Sequence, residues 1–278
     1  MAYYPLVNLG DGLAGRVAPG PGERVLWIHG YALDSRSWGE LWDLLPDLHH
    51  VGVDLPGHGR SLPLPNGQEL PELACRIARQ ALSHGVRHVV ALSVGTLVAL
   101  RMAMDHPGTF ASLVLGSPVP PSTAAGEPFW RRYRELANMH RMAGHGEHLR
   151  GRLMVVEPSL FSGARERPAL WDRLFKIVGE HPFWDLSDAS LVRLARRCET
   201  AAQLKGVAAP TLVVAGEKDA PSGRRRAARL ARGLPRCERL ALPGVSRLSL
   251  LEAPEAAARA IGSHVALAAR PEQGEEQP

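Results

Sequence analysis

Arg87-His88-Val89-Val90-Ala91-Leu92-Ser93-Val94-Gly95-Thr96-Leu97 joins an apolar run to a helical pattern through a single serine. His88–Leu92 reads as a buried strand and Thr96–Met104 as the helix after it. With only one tight turn between them, the serine is forced into a strained backbone conformation. The small residues Ala91 and Gly95 permit the close packing that this turn needs. Its hydroxyl then projects at the carboxyl edge of a sheet, beside a helix N-terminus with unpaired N–H groups and partial positive charge.

Strand and helix patterns alternate on both sides of this stretch. Val25–Ile28 is a strand run ending in His29-Gly30, Ser37–Leu45 has helical spacing, and Val51–Asp54 is a strand closed by Leu55-Pro56-Gly57-His58-Gly59. Leu70–Ser83 reads as a helix and Leu113–Leu115 as a strand. After Pro210, Thr211–Ala215 and Cys237–Leu242 are strands, and Arg224–Arg232 and Pro254–Ala268 are helices. Alternating units with short apolar strands predict an α/β fold with a mostly parallel sheet covered on both faces. The glycines near residues 10–22 suit a turn-rich hairpin and lack the context of a dinucleotide-binding loop.

Residues 118–207 break the rhythm. They are rich in Trp, Phe, His, Met and Arg, with helical patterns near Phe129–Arg141, Pro168–Gly179 and Ser187–Leu204. The expected organisation is a core of residues 1–117 and 208–269, a helical cap of residues 118–207, and a polar, disordered tail of residues 270–278. The aromatic residues Phe129, Trp130, Phe161, Trp171, Phe175, Phe183 and Trp184 are expected to pack that cap, a few of them lining an apolar pocket.

The 45% hydrophobic and 22% charged content describes an ordinary globular chain. No apolar run approaches the length of a membrane span, and no basic segment precedes an apolar one at the N-terminus, so neither a membrane partner nor a signal peptide is expected. The net charge of +5 comes with 30 arginines against 3 lysines. The one dense cluster, Arg224-Arg225-Arg226, reads as a solvated helix face, so no nucleic-acid partner is expected. Cys75, Cys198 and Cys237 have neither disulfide nor metal spacing. They read as buried apolar fillers in a cytoplasmic protein, with no metal and no cofactor implied.

Four motifs stand in order: His29-Gly30-Tyr31 after a strand, Asp54-Leu55-Pro56-Gly57-His58-Gly59-Arg60-Ser61, Ala91-Leu92-Ser93-Val94-Gly95, and Gly216-Glu217-Lys218-Asp219 after a strand. The set resembles the α/β-hydrolase superfamily, in its lidded, single-domain kind typified by small esterases, epoxide hydrolases and proline iminopeptidases. The resemblance covers about residues 20–118 and 208–269 and implies an eight-stranded-type sheet. It makes Ser93 the nucleophile and Asp219 the triad acid. The N–H groups of Tyr31 and Val94 form the oxyanion hole, with His29 and Gly30 bracing it and His58 as scaffold.

The chain departs from that pattern at the base. Where the family carries a histidine, before a Leu-rich stretch and Glu-x-Pro, this chain has Ser246-Arg247, then Leu248-Ser249-Leu250-Leu251-Glu252-Ala253-Pro254. Glu252 and Pro254 set the register, so Arg247 takes the histidine's place. A guanidinium has no lone pair to accept a proton and stays charged at any ordinary pH. It can pair with Asp219, bind an anionic group, or stabilise developing negative charge. A replacement base would come from the cap, where His140, His145, His148 and His181 lie with Glu147, Asp185 and Asp188.

Three functions follow as expectations. The first is an enzyme promoting elimination, cyclisation or proton transfer on a small apolar carbonyl or ester-like compound, as some members of the superfamily do in natural-product pathways. The second is an esterase- or thioesterase-like hydrolase with a base from the cap. The third is a catalytically silent ligand-binding protein.

Overall fold

The computed structural model describes residues 4–122, 128–156, 160–196 and 199–270. One eight-stranded sheet runs through it. The strands are β1 (Leu6–Gly10), β2 (Leu13–Ala18), β3 (Arg24–Ile28), β4 (His49–Val53), β5 (His88–Leu92), β6 (Ser112–Gly116), β7 (Thr211–Gly216) and β8 (Cys237–Leu242). Their order is β1-β2-β4-β3-β5-β6-β7-β8. β2 is antiparallel to both β1 and β4, and every other pair is parallel. The glycine-rich start is thus the β1–β2 hairpin.

The helices are α1 (Gly39–Asp43), α2 (Leu70–Ser83), α3 (Gly95–Asp105), α4 (Pro128–Ala143), α5 (Glu147–Met154), α6 (Pro168–Gly179), α7 (Asp185–Asp188), α8 (Ser190–Leu194), α9 (Ala201–Lys205), α10 (Pro221–Gly233), α11 (Ser249–Glu252) and α12 (Pro254–Ala269). Crossover helices leave the central strands β5 and β6 buried at every residue, as a parallel sheet covered on both faces requires. α2 shows the local logic. Its inward stripe is Leu73, Ala74, Ile77, Ala78 and Ala81 at helical spacing. The Glu69 N–H donates to the Glu72 carboxylate at 3.2 Å, closing the first turn.

Between β6 and β7 the described residues form helices and turns but no strand. Phe129, Trp130, Tyr133, Leu136, Phe161, Leu170, Leu174 and Phe183 are buried there. Three details differ from expectation. Ser187–Leu204 is not one helix: Ala189 takes a left-handed conformation, φ 53°, and splits α7 from α8. α5 carries too weak an apolar stripe to stand out in the sequence. Trp184, expected to pack, is 56% exposed.

Two further readings need correction. Cys75 falls off the inward stripe of α2 and is exposed, and Cys237 is only partly buried; Cys198 lies outside the described residues. Arg226 is not on a solvated face, because with Gly223, Ala227 and Leu230 it forms the buried side of α10. A buried guanidinium requires a partner, and Arg226 Nη2 finds both carboxylate oxygens of Glu199, at 2.6 and 2.8 Å. Residues 271–278, most of the expected tail, lie outside the described residues.

Candidate active site

Ser93 occupies the turn between β5 and α3 with φ 54°, the left-handed region. The strain is held from several sides. Its N–H donates to Gly116 O at 2.8 Å, and its carbonyl accepts the Thr96 hydroxyl at 2.6 Å and the Thr96 N–H at 3.1 Å. Of the two neighbouring glycines, Gly95 is sterically necessary and Gly30 is closely packed. A Cβ on Gly95 would stand 2.5 Å from Ile28 O and 2.7 Å from His29 O, and one on Gly30 would stand 3.2 Å from Ser93 Cβ. A side chain at Gly95 would push the elbow off the β3 loop. The N–H groups of Tyr31 and Val94, on the two segments that meet here, donate to no acceptor among the described residues.

His29 is fully buried and spent on backbone. Its Nδ1 lies 2.7 Å from Gly30 O, and its Nε2 accepts the Leu55 N–H at 2.8 Å. The ring is therefore the Nδ1–H tautomer and ties the β3 loop to the β4 loop. Burial holds its pKa below the ordinary histidine value, against the pull of Asp54.

Arg247 and Asp219 meet as a buried pair, Nη1 to Oδ2 at 3.0 Å, with 8% and 5% exposure. The other carboxylate oxygen of Asp219 accepts the Ala220 N–H at 2.8 Å at the start of α10. Nε and Nη2 of Arg247 have no partner among the described residues. Glu252 fixes the Arg247 loop from below. Its two oxygens accept the N–H groups on either side of Arg247, from Ser246 at 2.6 Å and Leu248 at 3.0 Å. Burial raises the Glu252 carboxyl above its usual value, although both N–H groups favour the carboxylate. The segment then returns to the sheet: Ser249 Oγ accepts from Ser117 Oγ at 2.9 Å, and Leu250 fills the space above Gly116. Gly116 is the residue that receives the Ser93 N–H, so the Arg247 loop and the serine turn are both fastened at the end of β6.

The cap histidines do not share one fate. His145 and His148 are exposed, as is Glu147, and half-buried His140 is 2.9 Å from Ser187 Oγ through Nε2. Only His181 is buried against the Tyr31 loop, with ring centroids 5.8 Å apart. Its ring also packs at a tilt on His58, 4.5 Å between centroids, and stands 3.6 Å from the Asp185 carboxylate. Tyr133, which no sequence motif singles out, packs on Tyr31 at 5.6 Å and donates its hydroxyl to the Asp185 carbonyl at 2.7 Å. Its signal in the sequence is only an apolar helical position. No group of three or more potential metal-ligating side chains occurs among the described residues. No described helix is long and apolar enough to cross a membrane.

Residues 25–260 match the Alpha/beta hydrolase family. Over 123 residues the chain is 40% identical to the dihydrolipoyllysine-residue acetyltransferase component of the acetoin cleaving system of Cupriavidus necator, covering 42% of this chain and 33% of that protein. Over 143 residues it is 32% identical to the putative 2-succinyl-6-hydroxy-2,4-cyclohexadiene-1-carboxylate synthase of Bacillus subtilis, covering 48% of this chain and 52% of that one. The chain thus spans about a third to about half of these relatives. Among solved structures, a thermophilic esterase from Thermogutta terrifontis superposes with a TM-score of 0.74 at 25% identity, over 92% of this chain and 95% of the esterase.

Proposed function

Since the chain belongs to the Alpha/beta hydrolase family, we propose that it is an enzyme acting at Ser93 on a small apolar carbonyl or ester-like compound by non-hydrolytic chemistry: elimination, cyclisation or proton transfer. The observation that carries this reading is the buried Arg247–Asp219 pair, 3.0 Å between Nη1 and Oδ2. In this reading Arg247 holds the place of the triad base. It has no lone pair for the serine proton, and Asp219 is already spent on its charge. Loss of the histidine from a serine protease triad costs roughly 10⁶ in kcat, so acyl transfer by Ser93 is left without its main driving group.

The rest of the elbow remains useful without that base. The free N–H groups of Tyr31 and Val94 form the oxyanion hole and polarise a carbonyl or hold an enolate oxygen. The Ser93 hydroxyl orients the same oxygen, and the Arg247 charge stabilises negative charge developing nearby. Similarity to a protein named as a synthase, in B. subtilis, supports chemistry other than hydrolysis on this fold.

A second reading is an esterase-like hydrolase with a displaced base. It is favoured by the buried histidines at the Tyr31 loop and by the likeness to the T. terrifontis esterase. A fluorophosphonate probe and 4-nitrophenyl acetate separate the two. Non-hydrolytic chemistry predicts no covalent labelling of Ser93 and ester turnover close to the buffer rate. Stoichiometric labelling with rapid turnover, both abolished in Ser93→Ala, would reverse the order.

A further inference from the structure

Under the helices that follow β6, several buried polar groups converge without hydrogen-bond partners among the described residues. They are the Tyr31 hydroxyl, His58 Nε2, both ring nitrogens of His181 and both carboxylate oxygens of Asp185. Each such group costs free energy when left unpaired, so their meeting at one place points to a use. They are in mutual contact. His58 and His181 have ring centroids 4.5 Å apart, Tyr31 lies 6.0 Å from His58 and 5.8 Å from His181, and His181 Nε2 is 3.6 Å from Asp185 Oδ1.

The protonation of His58 follows from its partners. Nδ1 lies 3.0 Å from Pro56 O, which can only accept, so Nδ1 carries the hydrogen. Nε2 therefore presents a bare, buried lone pair. Its surroundings keep it neutral: burial, then the neighbouring His181 and His29 rings, hold His58 well below the ordinary histidine value. Burial likewise pushes His181 down to about 3, with His29 and His145 adding to the effect and Asp34 opposing it. The Asp185 carboxyl is raised by burial and drawn back by His58.

Location gives the cluster its role. His58 and Asp185 line a cavity of about 30 Å³ together with Val94, whose free N–H adjoins Ser93; its other walls include Leu55, Leu97 and Leu191. On the far side, His181 lines a separate cleft of about 320 Å³ with Asp34, Arg36 and Arg60. The two imidazoles stand between a small apolar cavity walled in part by Val94, the neighbour of Ser93, and a charged cleft.

We propose that His58 Nε2 is the proton-accepting group of the Ser93 site, and that His181 with Asp185 links it to the charged cleft and so to solvent. This rests on the reading of Ser93 as the reaction centre. The substrate class is a small apolar carbonyl compound with a hydrogen on the carbon beside the carbonyl. With its oxygen on the N–H groups of Tyr31 and Val94, His58 Nε2 takes that hydrogen as a proton. The C–H electron pair becomes the C=C bond of the enolate, and the carbonyl π pair moves to the oxygen. The imidazolium passes a proton to His181, which releases one to cleft water. The reverse path returns a solvent proton to carbon and restores neutral His58, with no net oxidation or reduction.

The probe is cyclohexanone in D2O, its α-hydrogens followed by NMR with the full chain as catalyst. The wild type exchanges them faster than buffer. His58→Gln keeps a donor for Pro56 O and lowers exchange at least about 100-fold, with the urea midpoint checking that the variant folds. His181→Gly lowers it less and is rescued by imidazole entering from the cleft, whereas benzene, which fills the space without a nitrogen, gives no rescue. His148→Ala is unchanged. No exchange by the wild type, or full exchange by both folded His58→Gln and His181→Gly, overturns the proposal. Exchange lost in Ser93→Ala but kept in His58→Gln leaves the Ser93 reading standing and rejects His58. The opposite pattern rejects Ser93 as the reaction centre.

Discussion

Two buried polar clusters come from different parts of the chain, and they are built on opposite principles. At the ends of β7 and β8, Asp219 and Arg247 pair with each other at 3.0 Å, and the second Asp219 oxygen takes the Ala220 N–H. At the Tyr31 loop, burial lowers His58 and His181 and raises Asp185, and His58 Nε2, both His181 nitrogens and both Asp185 oxygens lack hydrogen-bond partners among the described residues. The first arrangement offers a guanidinium that has no lone pair and a carboxylate engaged at both oxygens. The second keeps lone pairs available at the expense of stability.

The largest effect comes from breaking the charged cluster. Asp219→Ala leaves the Arg247 guanidinium buried without a counter-charge and removes the acceptor of the Ala220 N–H at the start of α10. Urea unfolding is expected to show a loss of about 3–5 kcal/mol. A loss no larger than for an ordinary surface substitution would mean that Arg247 swings out to solvent and that the pair is not what organises this loop.

Converting one cluster into the kind of the other is the next largest effect. Arg247→His puts a lone pair beside Asp219 while Ser93 and the free N–H groups stay in place. Hydrolysis of 4-nitrophenyl acetate is expected to rise at least about 100-fold, the scale of a positioned general base. The gain should vanish in Ser93→Ala. No gain would place Arg247 out of reach of the serine.

These contrasts explain what the sequence could and could not tell. Ser93 and Gly95 announce the elbow because a serine between small residues at a strand–helix junction has few other uses, and the backbone there has φ 54°. The pairing of Arg247 with Asp219 is legible as a possibility of their charges, and Glu252 holds the Arg247 loop by hydrogen bonds on both sides. The cap cluster is not legible. His58 sits in a motif where the residue usually serves as scaffold, and nothing in its neighbours reveals that Nδ1 is spent on Pro56 while Nε2 is free. His181 resembles His140, His145 and His148 until the chain folds and buries only one of them deeply. The burial of Arg226 is hidden in the sequence for the same reason, since its partner Glu199 arrives from 27 residues away.

The neutral cluster has its own signature in acid. His181 lies at about 3 in the folded chain against roughly 6.5 when unfolded. Because the folded value is the lower one, the unfolded state binds the proton first. The stability it contributes is complete above about pH 6.5 and is lost as the pH falls toward about 3. Between about pH 7 and about pH 5 this one histidine accounts for about 2 kcal/mol of lost stability. His181→Phe, which keeps a ring beside Phe183 and Tyr31, should flatten the slope of unfolding free energy against pH by that amount. An unchanged slope would mean that His181 reaches water and titrates normally.

The smallest expected effect tests what ties Arg247 to its position. Glu252→Gln keeps the shape and one acceptor oxygen but sets an NH2 against either the Ser246 or the Leu248 N–H, leaving a buried donor unpaired. Urea unfolding should show a loss of about 1 kcal/mol, with the fold intact. The informative measurement is the pair with Arg247→His. If Glu252 positions residue 247 toward Ser93, the double variant loses most of the ester hydrolysis that the single change adds, while its urea midpoint falls only by the sum of the two separate losses. Activity that survives in full would mean that the strand ends of β7 and β8 alone fix residue 247. The charged cluster would then be set by the sheet, as the serine turn is, and only the cap cluster would depend on the packing of distant segments.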